Sequence, residues 1–318
     1  MTKSNHFKNL NNDFSEAKGL FAKFIISMKL FYYFFQRPPA HLFLKEKLKS
    51  EISKDPVFNK IDRLLLDEGG MFKNHAYKIC DRFYSLRNST ILVPGVGYGK
   101  NLFQLAAFRP KLIVTFDLYE YKDEWDFVSQ KIFKEFGVKV LFFKGDFESI
   151  PKIYENQFDF IIFDAVLEHV RDLSKFMDFS RKFLKRNGIF YASFGPIWYG
   201  PNGDHLNWGK DKLFGHLLLN EKEYQKKFNE VFNNSSINDS CEGHFLVKEK
   251  LFSHLKAREY LEICSKAGFQ KLLFFAKIST LASSFLKKHP EINNLLDKKG
   301  FPQFDRFCSG FYLWTRLK

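Results

Sequence analysis

From residue 89 onward, short apolar runs bounded by glycine, aspartate or asparagine alternate with stretches of helical spacing. Ile91-Leu-Val93 leads into a loop with glycine at alternate positions, Gly95, Gly97 and Gly99, and Asn101 to Phe108 follows with helix-like spacing. The run from Lys111 ends on Asp117, the run from Val138 ends on Gly145-Asp146, and Gln157–Asp164 is almost continuously apolar. A run without polar alternation marks a strand buried on both faces of a parallel sheet. Phe183–Ser193 reads as a helix end, an Asn187-Gly188 turn and a fifth strand. Glu259–Phe269 reads as a late helix, Lys271–Ala276 as a sixth strand and Cys308–Arg316 as a last one. Strands alternating with helices predict an α/β fold.

The remaining segments fall outside this alternation. Residues 1–88 form an N-terminal extension, expected to be helical, with Met71–Tyr84 as the helix that leads into the first strand of the domain at 89–318. Leu20–Phe35 is the most apolar window of the chain, ended by Gln36-Arg37-Pro38-Pro39, and it contains Lys23 and Lys29. It falls short of the roughly 20 residues of a membrane span. Burial against the domain accounts best for its all-round apolarity; an interfacial membrane helix and a dimer contact are the other readings. A large insertion follows the fifth strand at about 197–256. It opens in a loop rich in glycine, proline and tryptophan from Gly195 to Trp208 and includes a flexible polar stretch, Asn233–Ser240. A second insertion, about Ile278 to Phe304, follows the sixth strand.

The glycine loop carries the first chemical signal. Glycine lacks Cβ, so such a turn can adopt positive φ and let a ligand lie against bare backbone. An acid at the end of the following strand, here Asp117, can accept hydrogen bonds from both hydroxyls of a ribose. The dinucleotide spacing G-x-G-x-x-G is not met, because Lys100 stands where its third glycine belongs, and no G-x-x-x-x-G-K-[ST] loop occurs. The arrangement resembles the first motif of class I S-adenosylmethionine-dependent methyltransferases. The later segments arrive in the order that family requires, with Ala165-Val-Leu-Glu-His-Val170 similar to its post-strand segment and Glu259–Phe269 to its late helix. The resemblance spans about 75–318. It implies a doubly wound, mostly parallel, seven-stranded Rossmann-like sheet and S-adenosylmethionine as cofactor. The implied cofactor-binding residues are Gly95, Gly97, Gly99, Asp117, Asp146, Phe147 and Asp164, with Asp146 at the adenine amino group. Many members carry an acid two residues before the first glycine. Val93 stands there instead, as a continuation of a buried strand or as a sign of weakened donor binding.

Composition narrows the function less than the motifs do. The chain has 318 residues, 45% of them hydrophobic, and a net charge of +14. Lysines are spread along it without a tight basic run, so a solvated basic surface is expected rather than a nucleic-acid interface. Four cysteines without a C-x-x-C pair indicate neither a zinc site nor a disulfide framework, and no metal is expected. Met1–Asn12 lacks the basic-then-apolar order of an export signal, which points to the cytoplasm.

Methyl transfer to oxygen calls for a base near the reacting methyl. His205, in Gly203-Asp-His-Leu-Asn-Trp208, is the first candidate, Asp204 its orienter or substitute, and His169 the second. Trp198, Tyr199 and Trp208 are candidates for stacking on a sugar or an aromatic acceptor. The segment Asp164-Ala-Val-Leu167 replaces the Asn-Pro-Pro-Tyr type of motif used on exocyclic base nitrogens and amides, which disfavours those acceptors. The expected function is O-methylation of a small molecule or saccharide. RNA methylation, and a donor-binding protein without catalysis, are the alternatives.

Overall fold

The computed structural model describes residues 55–66, 73–206, 213–233 and 246–318. The apolar window at 20–35, Trp208 and most of the polar stretch at 233–240 lie outside them. One mixed sheet organises the chain, in the order β1-β7-β8-β6-β5-β2-β3-β4. Its strands are β1 (Arg63–Leu66), β2 (Thr90–Pro94), β3 (Leu112–Asp117), β4 (Lys139–Lys144), β5 (Phe158–Asp164), β6 (Leu184–Phe194), β7 (Phe269–Ile278) and β8 (Cys308–Leu317). Only β8 runs antiparallel, between β6 and β7.

The seven strands expected from the sequence are present, and an eighth joins them. Arg63–Leu66, inside the extension expected to be helical, pairs in parallel with Phe275–Ile278 at the sheet edge. Its run Arg-Leu-Leu-Leu is too short to show a period of its own. The pairing depends on Asp62, whose carboxylate accepts from the Phe274 amide at 2.6 Å and from Lys271 Nζ at 2.9 Å. The expected helix at 71–84 is present as α1 (Lys73–Phe83).

Successive strand residues point to opposite faces, and both faces are covered. On one face Ile91, Val93, Ile113, Phe160 and Ile162 pack with α1, α2 (Leu102–Ala106) and α3 (Lys122–Phe136). On the other, Leu92, Val114, Ile161, Phe163 and Phe190 pack with α4 (Leu173–Phe183) and α7 (Ala257–Lys266). This two-sided burial explains the nearly continuous apolar run of Gln157–Asp164, in which Asp159 is paired with Thr90 N and Lys185 Nζ. The insertion after β6 contributes α5 (Gly215–Leu218) and α6 (Glu221–Asn233). The one after β7 folds into α8 (Thr280–Lys288), α9 (Pro290–Lys298) and α10 (Gln303–Phe307).

The chain leaves β2 toward β3 and β4, then crosses back to β5 on the other side of β2. Such a reversal opens a crevice at the carboxyl ends of the two central strands, where open α/β sheets bind ligands. A cleft of about 400 Å³ lined by Gly268, Phe269, Gln270 and Thr315 lies at the opposite, starting end of β7, away from that crevice. No helix among the described residues is long and apolar enough to cross a membrane.

Candidate active site

The glycine loop sits at this reversal point, after β2. Gly95 has φ +63°, and a Cβ there would meet the Val166 methyls at 2.5 and 2.8 Å, so both conformation and space demand glycine. Gly97 has φ +52°, but a Cβ there would meet nothing within 4 Å. The backbone of Gly97 therefore faces open space, as a loop that cradles a ligand must. Its N–H donates to Asp117 Oδ2 at 2.7 Å, and its carbonyl accepts from Trp125 Nε1 at 2.7 Å. Trp125 is held in turn by stacking on Phe142 with centroids 5.0 Å apart.

The acids gather along the strand ends. Asp117 Oδ1 accepts from the Tyr119 amide at 3.1 Å, so two backbone donors hold a carboxylate that has about four lone-pair positions. Capacity for ribose hydroxyls remains. The Asp117 carbonyl accepts from Gly145 N at 2.8 Å, which brings the exposed Asp146 beside it. Asp146 caps the turn that follows, accepting from Glu148 N at 2.9 Å. The Phe147 ring packs on Phe176 and Phe179, at 5.7 and 5.1 Å. Asp164, at the end of β5, accepts from Ser193 Oγ at 2.5 Å and from Asn101 Nδ2 at 3.0 Å. The second bond ties the glycine loop to β5 across the crevice. Tyr98, Leu118 and Tyr119 are exposed around the loop and Asp117, an apolar rim suited to a nucleoside. The residues present fit S-adenosylmethionine.

A second group forms where β5 and β6 end. Val166 closes on Gly95, and the short turn Leu167–His169 follows. Glu168 is fully buried; Oε1 accepts from Gly195 N at 2.8 Å, and Oε2 has no hydrogen-bond partner among the described residues. Burial pushes its carboxyl up to about 7. The imidazoles of His169 and His205 lie 4.8 Å apart, centroid to centroid, with Phe252 5.5 Å from each. His169 Nδ1 is 2.9 Å from the Leu251 carbonyl and His205 Nε2 is 3.1 Å from the Pro196 carbonyl. A carbonyl can only accept, so each of these nitrogens is the N–H donor of its ring. Burial, and the neighbouring His169 next, lower the proton affinity of His205, while Glu168 opposes them.

Asp204 is brought next to this group in sequence but commits its carboxylate to the loop interior. It is 0% exposed, accepts from the Leu206 amide and the Tyr224 hydroxyl at 3.2 and 3.0 Å, and lies 3.9 Å from His216 Nδ1. These contacts suit an anchor of the loop that carries His205. Trp198 borders the histidines through Phe252, at 5.1 Å, whereas Tyr199 packs on Phe301 at 5.4 Å.

Glu168, Asn101, Ser193 and Trp125 have no role assigned in the sequence reading. Glu168 had a signal, since it stands beside His169 within the quoted segment. The other three act through contacts 28 to 63 residues away in the chain, for which local sequence offers no cue.

A sequence model described as a methyltransferase domain matches residues 92–192, from β2 through β6. No curated protein matches. Among solved structures, an S-adenosylmethionine-dependent methyltransferase from Mesorhizobium loti is 13% identical, with 76% of this chain and 97% of that one covered and a TM-score of 0.46. One from Methanosarcina mazei is 17% identical over 76% and 97%, with a TM-score of 0.45. The geranyl diphosphate C-methyltransferase from Streptomyces coelicolor is 12% identical over 77% and 79%, with a TM-score of 0.46. Residues 92–192, from β2 through β6, are therefore similar to a methyltransferase domain.

Proposed function

We propose that this enzyme methylates an oxygen of a small-molecule or saccharide acceptor. The observation that carries this reading is the meeting of His169, His205 and buried Glu168 at the ends of β5 and β6, next to the glycine loop. S-adenosylmethionine supplies an electrophilic methyl on a sulfonium. Gly95, Gly97 and Gly99 shape its cradle, with Asp117 at the ribose, Asp146 and Phe147 toward the adenine and Asp164 at the amino acid end. The described parts of the insertion, 197–206, 213–233 and 246–256, are assigned as the cap over the acceptor.

His205 is the base. Its Nε2–H is held by the Pro196 carbonyl, which leaves Nδ1 as the basic nitrogen. Burial keeps the ring neutral, and the adjacent Glu168 favours the imidazolium that forms when the acceptor's proton arrives. His169 stands second, beside it. Phe252 and the half-buried Trp198 keep water from the pair. His205→Ala should lower kcat by about 10²–10⁴-fold with donor affinity nearly unchanged. Full turnover would remove His205 from the chemistry.

RNA as acceptor remains the second reading, motivated by the net charge of +14. RNA binding that weakens steeply with added salt would replace the small-molecule reading. The described cysteines, Cys80, Cys264 and Cys308, are buried free thiols, consistent with a cytoplasmic site of action.

A further inference from the structure

Glu168, His169 and His205 each offer one donor atom, and the three atoms lie within 4.8 Å of one another. We infer that they bind one divalent first-row transition-metal ion, at which the acceptor oxygen is held. This rests on the oxygen-acceptor reading above and changes one role in it, since His205 becomes a ligand.

Several independent features converge on the same point. Both imidazoles donate one ring N–H to a backbone carbonyl, His169 to Leu251 and His205 to Pro196. That is the outer-shell arrangement by which metal-binding histidines are oriented and their other nitrogen made basic. The Glu168 carboxylate is oriented in the same way, because Gly195 N holds Oε1 at 2.8 Å. Its Oε2 is buried with no partner among the described residues. A buried carboxylate oxygen is costly unless it is hydrogen-bonded or coordinates a metal. Phe252 walls both rings at 5.5 Å, and such an apolar shell limits solvent at a metal.

The donor set selects the ion. Two imidazoles and one carboxylate suit Zn(II), Mn(II), Fe(II) or Co(II), whereas Mg(II) and Ca(II) favour oxygen ligands. Three protein ligands leave positions open for a substrate oxygen. Bond lengths of about 2.0–2.2 Å require the three side chains to draw closer by a rotamer-scale adjustment. An ion there would lower the pKa of a coordinated hydroxyl, so that the acceptor gives up its proton to solvent as it enters, before the site closes on it, and the oxygen keeps its electron pair for the methyl. The sequence did not announce this site, because its ligands are not cysteines and His205 follows His169 only after a complete helix and strand.

The test uses the full chain stripped with a chelator, dialysed, and titrated with cobalt(II) chloride while visible absorption is followed. One Co(II) per chain is expected. Glu168→Gln, His169→Asn and His205→Asn should each weaken uptake by at least about 10-fold, the scale on which even outer-shell partners act. His289→Ala, at an exposed pair with Glu291, should leave it unchanged. Gln retains an acceptor for Gly195 N, and Asn tolerates the positive φ of His205; calorimetry with S-adenosylmethionine on the same samples identifies variants that keep the fold. Absence of uptake by the wild-type chain, or uptake retained by all three variants, overturns the site. Donor binding without cobalt uptake would overturn the metal site alone. Cobalt uptake without donor binding would overturn the methyl-transfer reading and leave the site standing.

Discussion

Gly95 and Gly97 both have positive φ, yet replacing each by alanine should have different consequences. An L-residue in the left-handed region costs about 1–2 kcal/mol, so both variants lose that much. At Gly95 the new methyl would also sit 2.5 Å from a Val166 methyl. Overpacking of this kind adds about 1–3 kcal/mol, giving a total of about 2–5 kcal/mol. At Gly97 nothing lies within 4 Å of the new methyl, so the stability loss stops at the backbone strain. The methyl would instead project into the space assigned to the donor. Denaturant unfolding and calorimetry with S-adenosylmethionine separate the two effects. Gly95→Ala should be strongly destabilised and partly rescued by Val166→Ala. Gly97→Ala should remain within about 2 kcal/mol of the wild type and lose at least about tenfold in donor affinity, the equivalent of about 1.4 kcal/mol. Wild-type affinity in Gly97→Ala would show that the donor does not lie against this backbone.

Three further outcomes follow from the same geometry. Trp125→Phe removes the N–H that holds the Gly97 carbonyl at 2.7 Å; it should cost about 1 kcal/mol of stability and weaken donor binding, both read on the same instruments. Val93→Asp, which places an acid two residues before Gly95, should destabilise by several kcal/mol rather than tighten donor binding. Val93 packs in the core face with Ile91 and Ile113, and an unpaired buried charge there is costly; a gain in donor affinity without loss of stability would refute this. Asp305 is buried and its carboxyl is raised to about 8, chiefly by desolvation, with Asp55 and Glu259 raising it and Lys256 and the Ala257 amide opposing. The folded chain therefore keeps a proton that the unfolded chain releases near pH 4. Stability should fall between about pH 4 and 8, by at most about 1.4 kcal/mol per pH unit, and Asp305→Asn should flatten that slope in denaturant titrations.

The fold was legible because its signals are local. Ile91–Val93, Lys111–Asp117 and Gln157–Asp164 are strands buried on both faces, and the glycines and Asp117 mark the loop by spacing alone. Arg63–Leu66 was not legible as a strand, since four residues carry too little periodicity and its pairing depends on Asp62 reaching the Phe274 amide. The histidines could be named as candidates, but not their meeting. His205 reaches His169 only because the loop after β6 turns back, with Asp204 anchored by Tyr224. Glu168 has a sequence cue in its place beside His169, but nothing local tells that it is buried. Its significance comes from burial and from the Gly195 amide.

Titration of the full chain with S-adenosylmethionine by calorimetry, run beside Asp117→Ala, tests the assignment of the crevice most directly. One donor per chain should bind the wild type, and the variant, stripped of the carboxylate that meets Gly97 N at 2.7 Å, should bind far more weakly while remaining folded. No heat from the folded wild type at millimolar donor, or equal binding by Asp117→Ala, would contradict it.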